Sequence, residues 1–141
     1  MEQEFKSFLN HYLQVWRESS IEEMKELISK DYQAREIRGN QIDDFGYDES
    51  VKGWEQGFRY VKENEGIWDL KELAVIPLKE DEVMAVLSAS IIIKGERIGT
   101  ANLFFDTFKK DGEGSWKQAR SYVETGISPE RIGTLQLEQH I

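Results

Sequence analysis

Residues 83–125, VMAVLSASIIIKGERIGTANLFFDTFKKDGEGSWKQARSYVET, read as three long strands joined by two tight turns. Lys94-Gly95-Glu96 makes the first turn and Lys110 to Ser115 the second, each with the glycine that a hairpin's positive φ favours. Val83 to Ile93 is apolar or β-branched on both alternating faces, so both sides of the resulting sheet need cover. Helices earlier in the chain can cover one side. A partner is expected on the other.

Working back toward the N-terminus, Trp68 to Leu78 alternates as a further strand, with Pro77 suited to its end and Lys79 to Glu82 turning into the next. A helix capped by Asp48 or Ser50 is expected to run to about Asn64, with Trp54, Phe58 and Val61 on one face and Gly57 where another group can approach closely. Tyr32 to Ile37 reads as a short extended stretch, Arg38-Gly39-Asn40 as a turn, and Gln41 to Tyr47 as irregular. Phe5, Phe8, Leu9, Tyr12, Leu13 and Trp16 fall on one face of a first helix, from about Glu2 to Glu18. Ser20, with Glu23 three residues on, opens a second helix that should end near Lys30. Beyond residue 127, the segment 128–141 is an extension of uncertain structure, with Pro129 at a possible first helical position. The order, helices first and then an antiparallel sheet in one domain over 1–127, is an α+β plan.

Composition excludes several functions. The net charge of −9 and the absence of any Lys/Arg cluster argue against nucleic acid. No apolar run approaches the roughly 20 residues of a membrane span, and the acidic, amphipathic start does not resemble a signal peptide. The lack of cysteine removes disulfides and thiolate metal sites and fits a cytoplasmic location. Two histidines without paired spacing, and no loop of alternating acids, leave no metal site to expect.

The element order, with ISKDYQAR leaving the second helix and DGEGSWKQARSYVE carrying the last strand, resembles the NTF2-like superfamily over Phe5 to Thr125. That superfamily includes SnoaL-like cyclases, ketosteroid isomerases and scytalone dehydratases. The resemblance implies a cone, a cystatin-like bent sheet wrapped round the first and third helices, with an apolar small-molecule pocket at its wide end. It also implies a homodimer through the outer sheet face, and no cofactor. The dehydratase branch draws histidines from its sheet, and this sheet has none. Against the ketosteroid isomerase branch, the run from Tyr12-Leu13-Gln14-Val15 to Ile21-Glu22 aligns without a gap. Tyr12 then falls on the oxyanion-hole tyrosine, Glu36 on the general-base aspartate, and Asp106 on the acid that donates the second hydrogen bond. The resemblance so implies that Glu36 lifts a proton from carbon beside a carbonyl while Tyr12 and a neutral Asp106 stabilise the enolate. This sequence departs from the pattern in carrying Glu for Asp, and Ile37 where the isomerases have proline.

Each of these residues also has a plain structural reading. Tyr12 lies on the apolar face of its helix, where a core tyrosine is the common case. Glu36 sits in the charged run Arg35-Glu36-Ile37-Arg38, where an ion pair would account for it. Asp106 interrupts LFFDTF between Phe104 and Phe108 on one strand face, so it must be paired, protonated or at an edge. Trp54, Phe58 and Trp68 suit core or pocket wall, and Asn102, on the Phe104-Asp106 face, suits the pocket or a cross-strand hydrogen bond. Ala101, Leu103 and Phe105 take the opposite face and, with Trp116 and Tyr122, would form an outer apolar patch. Two functions stay open: a small-molecule pocket with or without proton-transfer chemistry, and a dimeric interaction module whose cone is filled by its own side chains.

Overall fold

The structure, a computed structural model, describes residues 2–133. Helix α1 (Glu2–Arg17) buries Phe5, Leu9, Tyr12, Leu13 and Trp16, the stripe its spacing dictates. Ser20 caps α2 (Ile21–Met24), its hydroxyl accepting the Glu23 N–H at 3.4 Å. The helix does not continue to Lys30. A 3₁₀ turn at Lys25–Leu27 leads directly into strand β1 (Ile28–Arg38), where buried Ile28 pairs with Gln118. Tertiary pairing of a β-branched residue has overridden the local helical pattern.

The stretch expected to be irregular is also a strand. β2 (Gln41–Gly46) folds back on β1 through a two-residue turn at Gly39-Asn40, with Gly39 at φ 61°. Most of β2 is exposed, so no apolar alternation marks it; the Arg35–Asp44 pair, bonded at 2.7 and 2.9 Å, ties it across the hairpin. Helix α3 (Tyr47–Glu63) follows, then β3 (Ile67–Lys79), β4 (Glu82–Ile93), β5 (Glu96–Lys110) and β6 (Trp116–Ile127). The turn between β4 and β5 uses Lys94 and Gly95, both at positive φ. The six strands form one curved, unclosed sheet in the order β2-β1-β6-β5-β4-β3. The sheet is not wholly antiparallel, because β1 joins β6 in parallel. A short helix α4 (Pro129–Gly133) begins the C-terminal extension and buries Ile132; residues 134–141 of that extension lie outside the described residues.

The core lies between α1, α3 and the concave face of the sheet. Val83, Ala85 and Leu87 on β4 face Phe108, Asp106 and Phe104 on β5, and Trp16 stands edge-to-face with Phe104 at 5.2 Å and Trp54 at 4.7 Å. Trp116 belongs to this core rather than to the outer patch. It is 5 % exposed and packs 5.1 Å from the Phe5 ring. A register shift explains the difference: Thr107 pairs with Arg120 but Phe108 with Gln118, so Ala119 is an extra residue on β6. The bulge reverses the facing of every β6 residue before it. Ala101 is also buried, so the outer face keeps Leu103 and Phe105, half-buried, and Tyr122, 41 % exposed. Among the described residues, no helix is long and apolar enough to cross a membrane.

Candidate functional site

A cavity of about 730 Å³ opens between α3, the β1–β2 hairpin and the concave face of the sheet. Its inner wall is aromatic. α1 contributes Trp16, α3 contributes Trp54, β3 contributes Trp68 and β5 contributes Phe104. The α3 side stays open because Gly53 and Gly57, one turn apart, carry no side chains there. A Cβ at Gly53 would meet nothing within 4 Å, and one at Gly57 would touch the Trp68 ring at 3.7 Å. Trp68 is itself fixed, its indole N–H donating to Ser19 Oγ at 3.0 Å.

Five of the residues singled out from the sequence line this space: Glu36, Trp54, Trp68, Asn102 and Phe104. Three do not. Phe58 is 2 % exposed and packs in the core against Trp54 and Trp68. Tyr12 and Asp106 are wholly buried behind the cavity wall. Glu36 reaches the cavity from β1 but is held by Arg38 in an ion pair. Tyr12, Glu36 and Asp106 therefore do not share one lining surface.

Asp106 faces the concave side, as its place between Phe104 and Phe108 requires, and sits in a small polar cluster. Ser121 Oγ donates to its Oδ1 at 2.6 Å, and Gln118 Nε2 donates to Ser121 Oγ at 3.0 Å. Burial pushes the Asp106 carboxyl up to about 7, with the polar groups of Ser121 and Gln118 beside it acting to lower it. Burial likewise raises the Tyr12 hydroxyl well above its usual value, with the Asp106 charge adding to the effect. Tyr32, which lines the cavity with Ser50, is raised for the same two reasons. Three polar atoms around this cluster have no partner: Tyr12 OH, Asp106 Oδ2 and Gln118 Oε1. Of their residues Gln118 lines the cavity, at 2 % exposure.

Sequence reasoning missed Tyr32, Gln118 and Ser121. Tyr32 could have been found, since it shares the β1 face of Ala34 and Glu36. Gln118 could not, because simple alternation from Ser121 sends it outward and the Ala119 bulge brings it in. Among the described residues no group of three or more His, Cys, Asp or Glu side chains could hold a metal.

The helices packed on one concave sheet, with a cavity at the open end, define a cystatin-like α+β cone, and comparison with solved structures places the chain in the NTF2-like fold. It is similar to an NTF2-like protein of unknown function from Pseudomonas putida (TM-score 0.69, 16 % identity, 98 % of this chain and 96 % of that one). An NTF2-like protein with a cystatin-like fold from Novosphingobium aromaticivorans matches with TM-score 0.67 and 16 % identity, over 96 % and 89 % of the two chains. A ketosteroid isomerase-like protein from Erwinia carotovora atroseptica matches with TM-score 0.58 and 18 % identity, over 88 % and 94 %. No protein-family model and no curated protein matches the chain.

Proposed function

We propose that the protein binds a small, mostly apolar molecule in the cavity between α3 and the sheet. The observation that carries this reading is the open space of about 730 Å³ beside a tryptophan wall, kept clear by two helical glycines. Volumes of about 300–1,000 Å³ with apolar walls and few polar groups suit small ligands. A glycine inside a helix costs about 1 kcal/mol relative to alanine, so a pair of them lining one cavity has a use beyond helix formation. The core fills part of the cone and leaves this cavity beside it, which supports a binding role over a wholly self-filled interaction module.

A second reading, proton abstraction beside a carbonyl, draws on the ketosteroid isomerase-like neighbour and on Glu36 at the cavity wall. It is the weaker of the two. Glu36 is held by Arg38, and the two hydrogen-bond donors it needs, Tyr12 and Asp106, are behind the wall.

The test is calorimetric titration with 2-naphthalenemethanol and its charged relatives. Saturable binding is expected for the wild type, and Gly53→Leu, which projects into the empty space, should weaken it about tenfold or more, the scale of losing a buried apolar contact surface. A wild type that binds none of these probes, or a Gly53→Leu protein that binds them equally well, refutes the proposal.

A further inference from the structure

We infer that the cavity selects an organic cation, a protonated amine carried on an aromatic or alicyclic body, over neutral or anionic molecules of the same shape. This rests on the reading that the cavity binds a small molecule, and it goes further by fixing the charge of the ligand.

The ionisable groups lining the cavity are strongly one-sided. Glu36, Asp43, Asp44 and Glu49 are acids, and Arg38 is the single base. Arg38 is paired with Glu36, and Asp44 is paired with Arg35, its partner directly across the hairpin. Asp43 and Glu49 make no ion pair among the described residues, although Asp43 lies in the field of Arg38, so the mouth carries a net negative charge.

The interior independently asks for a donor. Gln118 is 2 % exposed and lines the cavity; its Nε2 is committed to Ser121, and its Oε1 has no partner. A buried carbonyl oxygen left without a hydrogen bond is costly, and an ammonium or other N–H group on a ligand would satisfy it. Neutral donors line the wall as well: Trp68 N–H is spent on Ser19 and Arg38 on Glu36, but the Trp16 indole N–H has no partner, and Trp54 and Asn102 also face the space. Selection therefore lies in charge rather than in a shortage of donors.

The walls favour the same charge. The faces of tryptophan and phenylalanine carry negative quadrupole potential, which attracts a cation most strongly where water is excluded. The chain's net charge of −9 adds a weaker long-range attraction of the same sign.

Three probes of nearly equal shape separate the possibilities: 2-naphthylmethylamine (a cation at neutral pH), 2-naphthalenemethanol and 2-naphthoate. Calorimetry at low salt should show the amine binding about tenfold tighter than the alcohol, with the carboxylate weakest, and the amine's advantage should shrink as salt screens the mouth. Asp43→Asn combined with Glu49→Gln should lower amine affinity about tenfold and leave the alcohol within about twofold, because only the cation feels the lost charges. Glu113→Gln, in the loop between β5 and β6 and outside the cavity, should change neither, which separates the mouth from the chain's overall charge. An alcohol that binds as tightly as the amine overturns the inference while the binding proposal stands. So does an amine preference that survives the double substitution or falls equally with Glu113→Gln. Failure of all three probes removes the binding proposal and this inference together.

Discussion

Asp106→Asn tests how the interior behind the cavity is built. The Asp106 carboxyl is wholly buried, accepts one hydrogen bond from Ser121, and leaves Oδ2 without a partner. Burial lifts its pKa from an ordinary 3.8 to about 7. The folded chain then keeps a proton that the unfolded chain releases. The group's stabilising contribution is therefore fully present below the unfolded pKa and is lost as pH rises through the folded one. Each unit inside that window costs about 1.4 kcal/mol, or about 4 kcal/mol across the whole of it. Asparagine keeps an acceptor for Ser121 and cannot ionise. Its amide hydrogens lack a partner, a cost of about 1–3 kcal/mol that does not depend on pH. Between about pH 5 and pH 8 the stability difference should move by about 2–3 kcal/mol in favour of Asp106→Asn, whatever its starting sign. Urea unfolding of both proteins at a series of pH values measures this, and groups common to both cancel in the difference. A difference that stays flat to within about 0.5 kcal/mol over that range would show that Asp106 is charged in the folded state at pH 5 and refute the reasoning.

Gly57→Ala should raise stability by about 0.8–1 kcal/mol, or a melting temperature by about 2–4 °C, because its Cβ meets the Trp68 ring at an ordinary contact distance of 3.7 Å; a lower melting temperature by circular dichroism would show that Trp68 has no room to give. Ser19→Ala removes the acceptor for the Trp68 indole N–H and should cost about 1–2 kcal/mol in urea unfolding. No loss there would mean that the N–H is satisfied by water. For the outer sheet face, where Phe105 and Tyr122 rings lie 6.1 Å apart, sedimentation is the measurement. The expected homodimer requires that Phe105→Glu shift the chain to monomer, and a wild type already monomeric at high concentration removes that expectation.

The long elements were legible because their periodicity was set by burial on one face. α1 and α3 show a 3.6-residue stripe, and β4 and β5 are long apolar and β-branched runs bounded by turn glycines, so the α+β plan and the concave position of Asp106 follow from the residues themselves. The two misread segments have a common cause. At Lys25 to Leu27 a local helical pattern is overridden, and Gln41 to Gly46 carries little one-sided apolar pattern; both conformations are decided by strand pairing, Ile28 with Gln118 and the β2 residues with β1. Local propensity could not see those partners.

The site was half legible for a more specific reason. Of the residues named from the sequence, Trp54, Trp68, Asn102 and Phe104 line the cavity. On β6 the period breaks at Ala119. One extra residue turns Trp116 inward to complete the Phe5 cluster and brings Gln118 to the cavity beside Ser121, instead of leaving both on the outer face. The same bulge therefore narrows the outer apolar strip and supplies the buried Gln118 acceptor at the cavity. It also explains why an isomerase-like reading from alignment and a binding reading from geometry diverge. Alignment carried over Tyr12 and Asp106, which sit on unbroken periods in the core, and could not supply Gln118, whose position at the cavity depends on the bulge.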